Sequence, residues 1–164
     1  MKKISYLITL FILMLVMVSC AGYKPIFSSS GLKFEIADHS IEGEKKLGNQ
    51  IISKLKNLSK INENSTDVQS IDVYITILKT KNSTVKNSAG KILEYKIVIN
   101  STIEIKDYIT EKVIFEKKFD SFSSYRVQDV YSDTRRVENK TIEDLLNKIY
   151  QDLLIKMSET ITSK

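Results

Sequence analysis

The stretch LEYKIVINSTIEI places Leu93, Tyr95, Ile97, Ile99, Ile103 and Ile105 at odd positions, with Glu94, Lys96, Asn100, Thr102 and Glu104 at even ones. Side chains alternate between the two faces of a strand, whereas a helix repeats every ~3.6 residues. No helix face gathers those apolar residues; one face of a strand gathers them all. The chain must therefore build a sheet with one apolar and one polar face, and a second layer must cover the apolar face.

Two more runs carry the same period. Ile71, Val73, Ile75 and Ile77 alternate with Asp72, Tyr74, Thr76 and Leu78, and Val113, Phe115 and Phe119 alternate with Ile114, Glu116 and Lys118. Upstream, Leu32, Phe34 and Ile36 alternate with Lys33, Glu35 and Ala37, which predicts a first strand over 32–38. KNSTVKNSAGK (81–91) and DYITEK (107–112) read as the connecting turns. Connections this short favour antiparallel neighbours.

The covering layer is also legible. Leu47, Ile51, Leu55 and Leu58 recur at steps of 4, 4 and 3, with Lys46, Asn49, Lys54 and Lys56 largely off the stripe. That spacing predicts an amphipathic helix near 43–59. Gly48 inside it costs about 1 kcal/mol relative to Ala. NENSTD (62–67) follows as a loop. In the last third, Ile142, Leu145, Leu146, Ile149, Leu153, Ile155, Met157 and Ile161 fall at mainly helical spacing. Thr141 to Asp144 has the form of a capping box, which would start a helix at 142. SDTRRVENKTIEDLL contains no Pro or Gly, however, and favours a start near Ser132. The expected fold is α+β, an antiparallel four-stranded sheet with two helices packed on one face, in the order β-α-β-β-β-α.

The N-terminus has a different logic. Lys2 and Lys3 precede a 15-residue apolar run, Ile4 to Val18, and then the small residues Ser19, Cys20, Ala21 and Gly22. This is the order of a secretory signal, with cleavage between Ser19 and Cys20. The apolar run is shorter than the ~20 residues a spanning helix needs. The chain divides into a signal peptide (1–19), a Ser/Gly-containing tether (20–31) and a single domain (32–164). Cys20 is the only cysteine, so it has no internal disulfide partner. It is a buried small hydrophobe, a reactive thiol, a metal ligand or a site of covalent modification.

Met17-Val18-Ser19-Cys20 resembles a bacterial lipobox, with Met17 where Leu is usual. The resemblance implies a diacylglycerol on the Cys20 thiol and an acylated new amino terminus. Acyl chains at ~0.8 kcal/mol per buried methylene would anchor the chain to a membrane. Ala21 rather than Asp after the cysteine implies release to the outer membrane.

Cleavage leaves 145 residues and, by removing two lysines, lowers the formal charge from +5 to +3. A domain of that size buries roughly two thirds of its extended surface. The residual charge is small, and an exported chain does not meet nucleic acid, so none is expected as a partner. Contact with anionic lipid or acidic sugar is compatible with it. No nucleophile, zinc cluster, phosphate loop or nucleotide fingerprint is present. His39 is the only histidine and reads as a surface or strand-end residue. Glu143 and Asp144 are consecutive, so they diverge on a helix and read as a solvated first turn. Arg135 and Arg136 read as solvated. EKKFDSFSSYR combines core aromatics with a charged face, or a lipid-sugar or partner contact. No enzyme activity, metal or cofactor is expected.

CAGYKPIF, with Cys20, Gly22, Tyr23, Lys24, Pro25, Ile26 and Phe27, resembles the start of the LPS-assembly lipoprotein family; Ala21 is an insertion relative to the commoner Cys-Gly start. SSYRVQDVYSDTRR resembles that family's segment leading into its last helix, carried by Ser124, Tyr125, Val127 and Tyr131. The resemblance covers most of 20–162. It implies an outer-membrane lipoprotein on the periplasmic side that plugs and helps assemble a large LPS-translocating β-barrel and assists delivery of LPS. The barrel protein and LPS are the implied partners. The alternative is a lipid-anchored periplasmic binding module of an envelope lipid transporter, with an apolar ligand pocket between sheet and helices.

Overall fold

The computed structural model describes residues 33–60 and 68–162. The signal, Cys20, the tether with Gly22, Tyr23 and Pro25, and the 62–67 loop lie outside the described residues. The elements are β1 (Phe34–Gly43), α1 (Lys45–Lys60), β2 (Gln69–Lys86), β3 (Ile92–Asp107), β4 (Val113–Arg126) and α2 (Tyr131–Thr162). The order β-α-β-β-β-α is as expected, and the four strands lie in spatial order β1-β2-β3-β4.

The sheet is not wholly antiparallel: β1 pairs with β2 in parallel, while β2–β3 and β3–β4 are antiparallel. The cause is the connection. β1 reaches β2 through a helix, and such a crossover returns the chain to the end where it started. The tight-turn argument holds only for the other two pairs.

The inner face follows the alternation. Ile71, Val73, Ile75, Ile77, Ile97, Ile99, Ile103 and Ile105 are all buried. Ser101 and Ser121 interrupt this face, both buried with unpaired hydroxyls among the described residues. Each lies opposite a large residue, Ser101 across from Phe119 and Ser121 across from Ile99, so small meets large and the layer stays level. From the helices, Leu47, Ile51, Ile52 and Leu55 of α1 and Leu145, Leu146, Ile149, Leu153, Leu154 and Met157 of α2 close the core. In the expected α2 stripe, Leu154 is buried where Ile155 is exposed, because the helical face had turned past 155.

Several boundaries move for physical reasons. β1 runs to Gly43 rather than stopping at 38, because a register shift between Ile36 and Asp38 resets its parity. Phe34 and Ile36 face inward before the shift, and Ile41 packs on the core after it. β2 continues through most of the expected 81–91 turn to Lys86, paired with β3 as far as Ile92. That ladder overhangs the core and rests on backbone hydrogen bonds rather than burial. α2 starts at Tyr131, so Thr141 caps nothing; its hydroxyl donates to the Val137 carbonyl at 2.9 Å. Glu143 and Asp144 are therefore exposed interior residues of α2, not a first turn.

Gly48 is explained by a close approach. A Cβ there would sit 2.4 Å from Ile41 Cγ2, so the absent side chain lets α1 settle onto β1. Gly43 makes the bend between strand and helix with φ 87°, and the next amide, Glu44 N, donates to Ile77 O at 2.9 Å.

Candidate functional site

The SSYR segment ends β4 and leads into α2. Alternation points Tyr125 inward, where only 4% of it is exposed. Its ring stacks on Tyr95 of β3 with centroids 5.8 Å apart and planes at 28°. Lys81, from the overhanging part of β2, sets its ammonium 4.2 Å from the Tyr95 centroid and 5.5 Å from that of Tyr125. The same ammonium donates to Glu138 Oε2 of α2 at 2.8 Å, and Arg135 Nη1 lies 3.9 Å from that oxygen. Three strands and the first turns of α2 are thus tied by one charged and aromatic cluster.

The electrostatics are mutual. Burial pushes the Glu138 carboxyl up, but the hydrogen bond from Lys81, with further help from Tyr125 and Arg135, leaves it below its ordinary value. Burial pulls Lys81 down, and its hydrogen bond to Glu138, with the neighbouring Tyr125 phenol, leaves it above its ordinary value. Burial raises the Tyr125 phenol; its oxygen lies beside the pair without a well-formed hydrogen bond of its own. A depressed carboxyl contributes stability above its unfolded pKa, and that contribution fades as pH falls through the folded value. Lys81 is about one-third exposed on its side chain (34%), so solvent screens the pair. Glu138→Gln is expected to cost about 1 kcal/mol near neutral pH. Denaturant melts at descending pH should show the gap to the parent chain closing in acid; a gap independent of pH would remove the ion pair from the account.

Beside the cluster lies a groove of ≈ 640 Å³ between the two helices. Leu47, Ile142 and Leu146 form its apolar floor, and Lys46, Lys54, Lys79 and Arg135 share the rim with Glu44, Glu138 and Glu143. The helices meet along this groove, where Lys54 Nζ donates to Asn147 Oδ1 and Tyr150 Oη donates to Lys54 O at 3.4 Å.

Of the residues singled out from the sequence, Tyr125 and Arg135 enter this cluster. Ser124 is exposed on the outer face of the sheet. Val127 N donates to Leu93 O at 2.9 Å, which continues the sheet pairing past β4. Tyr131, at the start of α2, is 76% exposed. Thr134 organises the turn between them: Gln128 N donates to its Oγ1 at 2.9 Å. Arg136 pairs with Asp133 at 3.2 Å in solvent, and Lys140 with Asp144 at 2.7 Å. His39 is half-buried on the edge strand β1, its backbone N donating to Asp38 Oδ1 at 2.7 Å. Sequence reasoning missed Lys81, Tyr95 and Glu138 as partners of Tyr125; only the Arg135/Glu138 spacing of three on one helix hinted at a pair. Among the described residues no group of His, Cys, Asp and Glu could hold a metal ion, and no helix is long and apolar enough to cross a membrane.

No known family profile matches the chain, and no curated protein sequence does either. Solved structures do share its fold. Rare lipoprotein B from Shewanella oneidensis aligns at a TM-score of 0.54 and 12% identity, over 77% of this chain and 97% of that one. Lipoprotein B from Nitrosomonas europaea gives 0.56 and 17%, over 84% and 90%. A minor lipoprotein from Acinetobacter baumannii gives 0.50 and 17%, over 79% and 94%. The α+β arrangement described here is therefore one that bacterial lipoproteins use.

Proposed function

We propose that the chain is an outer-membrane lipoprotein, anchored through Cys20 on the periplasmic side, that plugs and helps assemble an LPS-translocating β-barrel and assists delivery of LPS to the outer leaflet. The observation that carries this reading is a conjunction in one chain. A lipobox-like stretch ends at Cys20, and the domain behind it shares the fold of rare lipoprotein B over 97% of that chain. The CAGYKPIF and SSYRV resemblances narrow the reading to LPS assembly. The uncovered sheet face is compatible with a polar barrel lumen: Thr76, Asn100, Glu116 and Asp120 present polar groups there, around the exposed Tyr74, Leu78 and Phe122.

The binding-module alternative needs an apolar pocket between sheet and helices. That layer is instead filled by side chains under 2% exposed, among them Ile51, Leu55, Ile75, Ile99, Ile103 and Leu153. Non-enzymatic action is part of the proposal. Depleting the chain in its host is expected to lower both the amount of folded large barrel in the outer membrane and the LPS accessible at the cell surface. Unchanged barrel and unchanged surface LPS under full depletion would contradict it.

A further inference from the structure

One end of the domain displays large apolar side chains to solvent. Ile109 is 85% exposed and Tyr108 54%, both on the turn between β3 and β4, and Val113 (52%) and Val68 (36%) flank them. The turn is braced rather than loose. Thr110 N and Thr110 Oγ1 each donate to Asp107 Oδ1 at 2.8 Å, and Gln69 Nε2 donates to Asp107 Oδ2 at 2.8 Å. Tyr108 N donates to Ser70 O at 3.0 Å, and Asp107 N to Lys112 O at 2.9 Å. The hydrogen bond from Gln69, then those from Thr110, hold the Asp107 carboxyl at about 2, so the brace persists at any physiological pH. A fixed turn that exposes an isoleucine and an amphipathic tyrosine ring has the composition of an interfacial membrane contact.

The position of the chain start selects the lipid occupant. Lys33 O accepts from Gln69 N at 3.2 Å, and Gln69 is the residue that braces Asp107. The domain thus begins beside this turn, and Cys20 lies 13 residues earlier, at most roughly 45 Å of chain away. The opposite tip, Asn87 to Lys91, carries no large apolar side chain of its own; Val85 (43%), Leu93 (40%), Val130 (55%) and Tyr131 (76%) are exposed beside it, so it is the chain start, at the Tyr108–Ile109 end, that selects between the two ends. The charges around the exposed turn cancel, Lys106 and Lys112 against Asp107 and Glu111. Contact would therefore come from apolar and interfacial burial and depend little on salt.

We infer that the Tyr108–Ile109 turn inserts into the interfacial layer of the bilayer that holds the anchor, and so orients the barrel-free domain with this end toward the lipid. The inference rests on the anchor portion of the proposed function and not on the barrel. The chain contains no tryptophan, so a single introduced one is a clean reporter. Full-length Ile109→Trp and Ser88→Trp would each be reconstituted into phosphatidylcholine vesicles with and without brominated acyl chains. The expected result is a blue-shifted emission from the Ile109→Trp variant, quenched at least twofold by the brominated lipid, with the Ser88→Trp emission unaffected. Equal, unquenched emission from both variants would overturn the inference and leave the apolar tip to a protein partner. Mass analysis of the N-terminal peptide reads the anchor separately. Acylated Cys20 without quenching rejects the turn contact alone. Quenching with unmodified Cys20 supports the contact without the anchor.

Discussion

Gly43→Ala is expected to lower the unfolding free energy of the domain by roughly 3 kcal/mol or more, against about 1 kcal/mol for Gly90→Ala. Both glycines have positive φ, 87° and 80°, so both substitutions incur backbone strain. They differ in what surrounds them. A Cβ on Gly90 meets nothing within 4 Å, whereas one on Gly43 would sit 2.2 Å from Ile77 O. That oxygen is a backbone atom of a fully buried β2 residue and also accepts the Glu44 amide, so it cannot move without opening the sheet. The clash falls at the junction of β1 and α1, where the parallel pairing is set. With domains of this size stable by only ~5–15 kcal/mol, the loss is a large share of the whole. Urea melts of the two variants check it, and equal destabilisation would place the cost in φ strain alone.

Cys20→Ser is expected to move the chain from the membrane pellet to the soluble periplasmic fraction. The proposed anchor consists of several acyl chains, and burial at ~0.8 kcal/mol per methylene makes two or more of them a stable hold where one is marginal. Removing the thiol removes the attachment point for the diacylglycerol, and no described helix replaces it by spanning the bilayer. The folded domain itself should be unaffected, since its core begins at Phe34. Fractionation with intact-mass measurement reads both. A serine variant that remains fully membrane-bound would mean that something other than lipid holds the protein there.

What the sequence made legible was periodicity. The odd-position isoleucines of β2 and β3 and the stripes of α1 and α2 each reported a face, and faces are local properties. The parallel β1–β2 pair was missed because direction depends on the length of the crossover, and the argument from short turns does not extend to a connection containing a helix. The overhanging strand from Lys81 to Lys86 reads as a turn because its Asn, Ser, Thr and Lys side chains are polar; its ladder with β3, with the Lys81–Glu138 pair at its base, keeps it extended. The Lys81–Glu138 contact joins residues 57 positions apart, a separation no local pattern encodes. Tyr125 stands out in the sequence within the aromatic and charged EKKFDSFSSYR stretch and by resemblance, and its role emerges only once the sheet places Tyr95 and Lys81 around it. Ile109 looked like an ordinary turn residue until Asp107, Gln69 and Lys33 proved to be neighbours.

The central claim is that this chain is a subunit of an LPS-translocating barrel. The most direct test is mild-detergent extraction of the tagged, full-length protein from its own membranes, followed by affinity capture and mass spectrometry of what accompanies it. The account predicts a large outer-membrane β-barrel protein in near-stoichiometric amount, together with an acylated Cys20 peptide. Recovery of the acylated chain as a free monomer, with no barrel at any expression level, would contradict it.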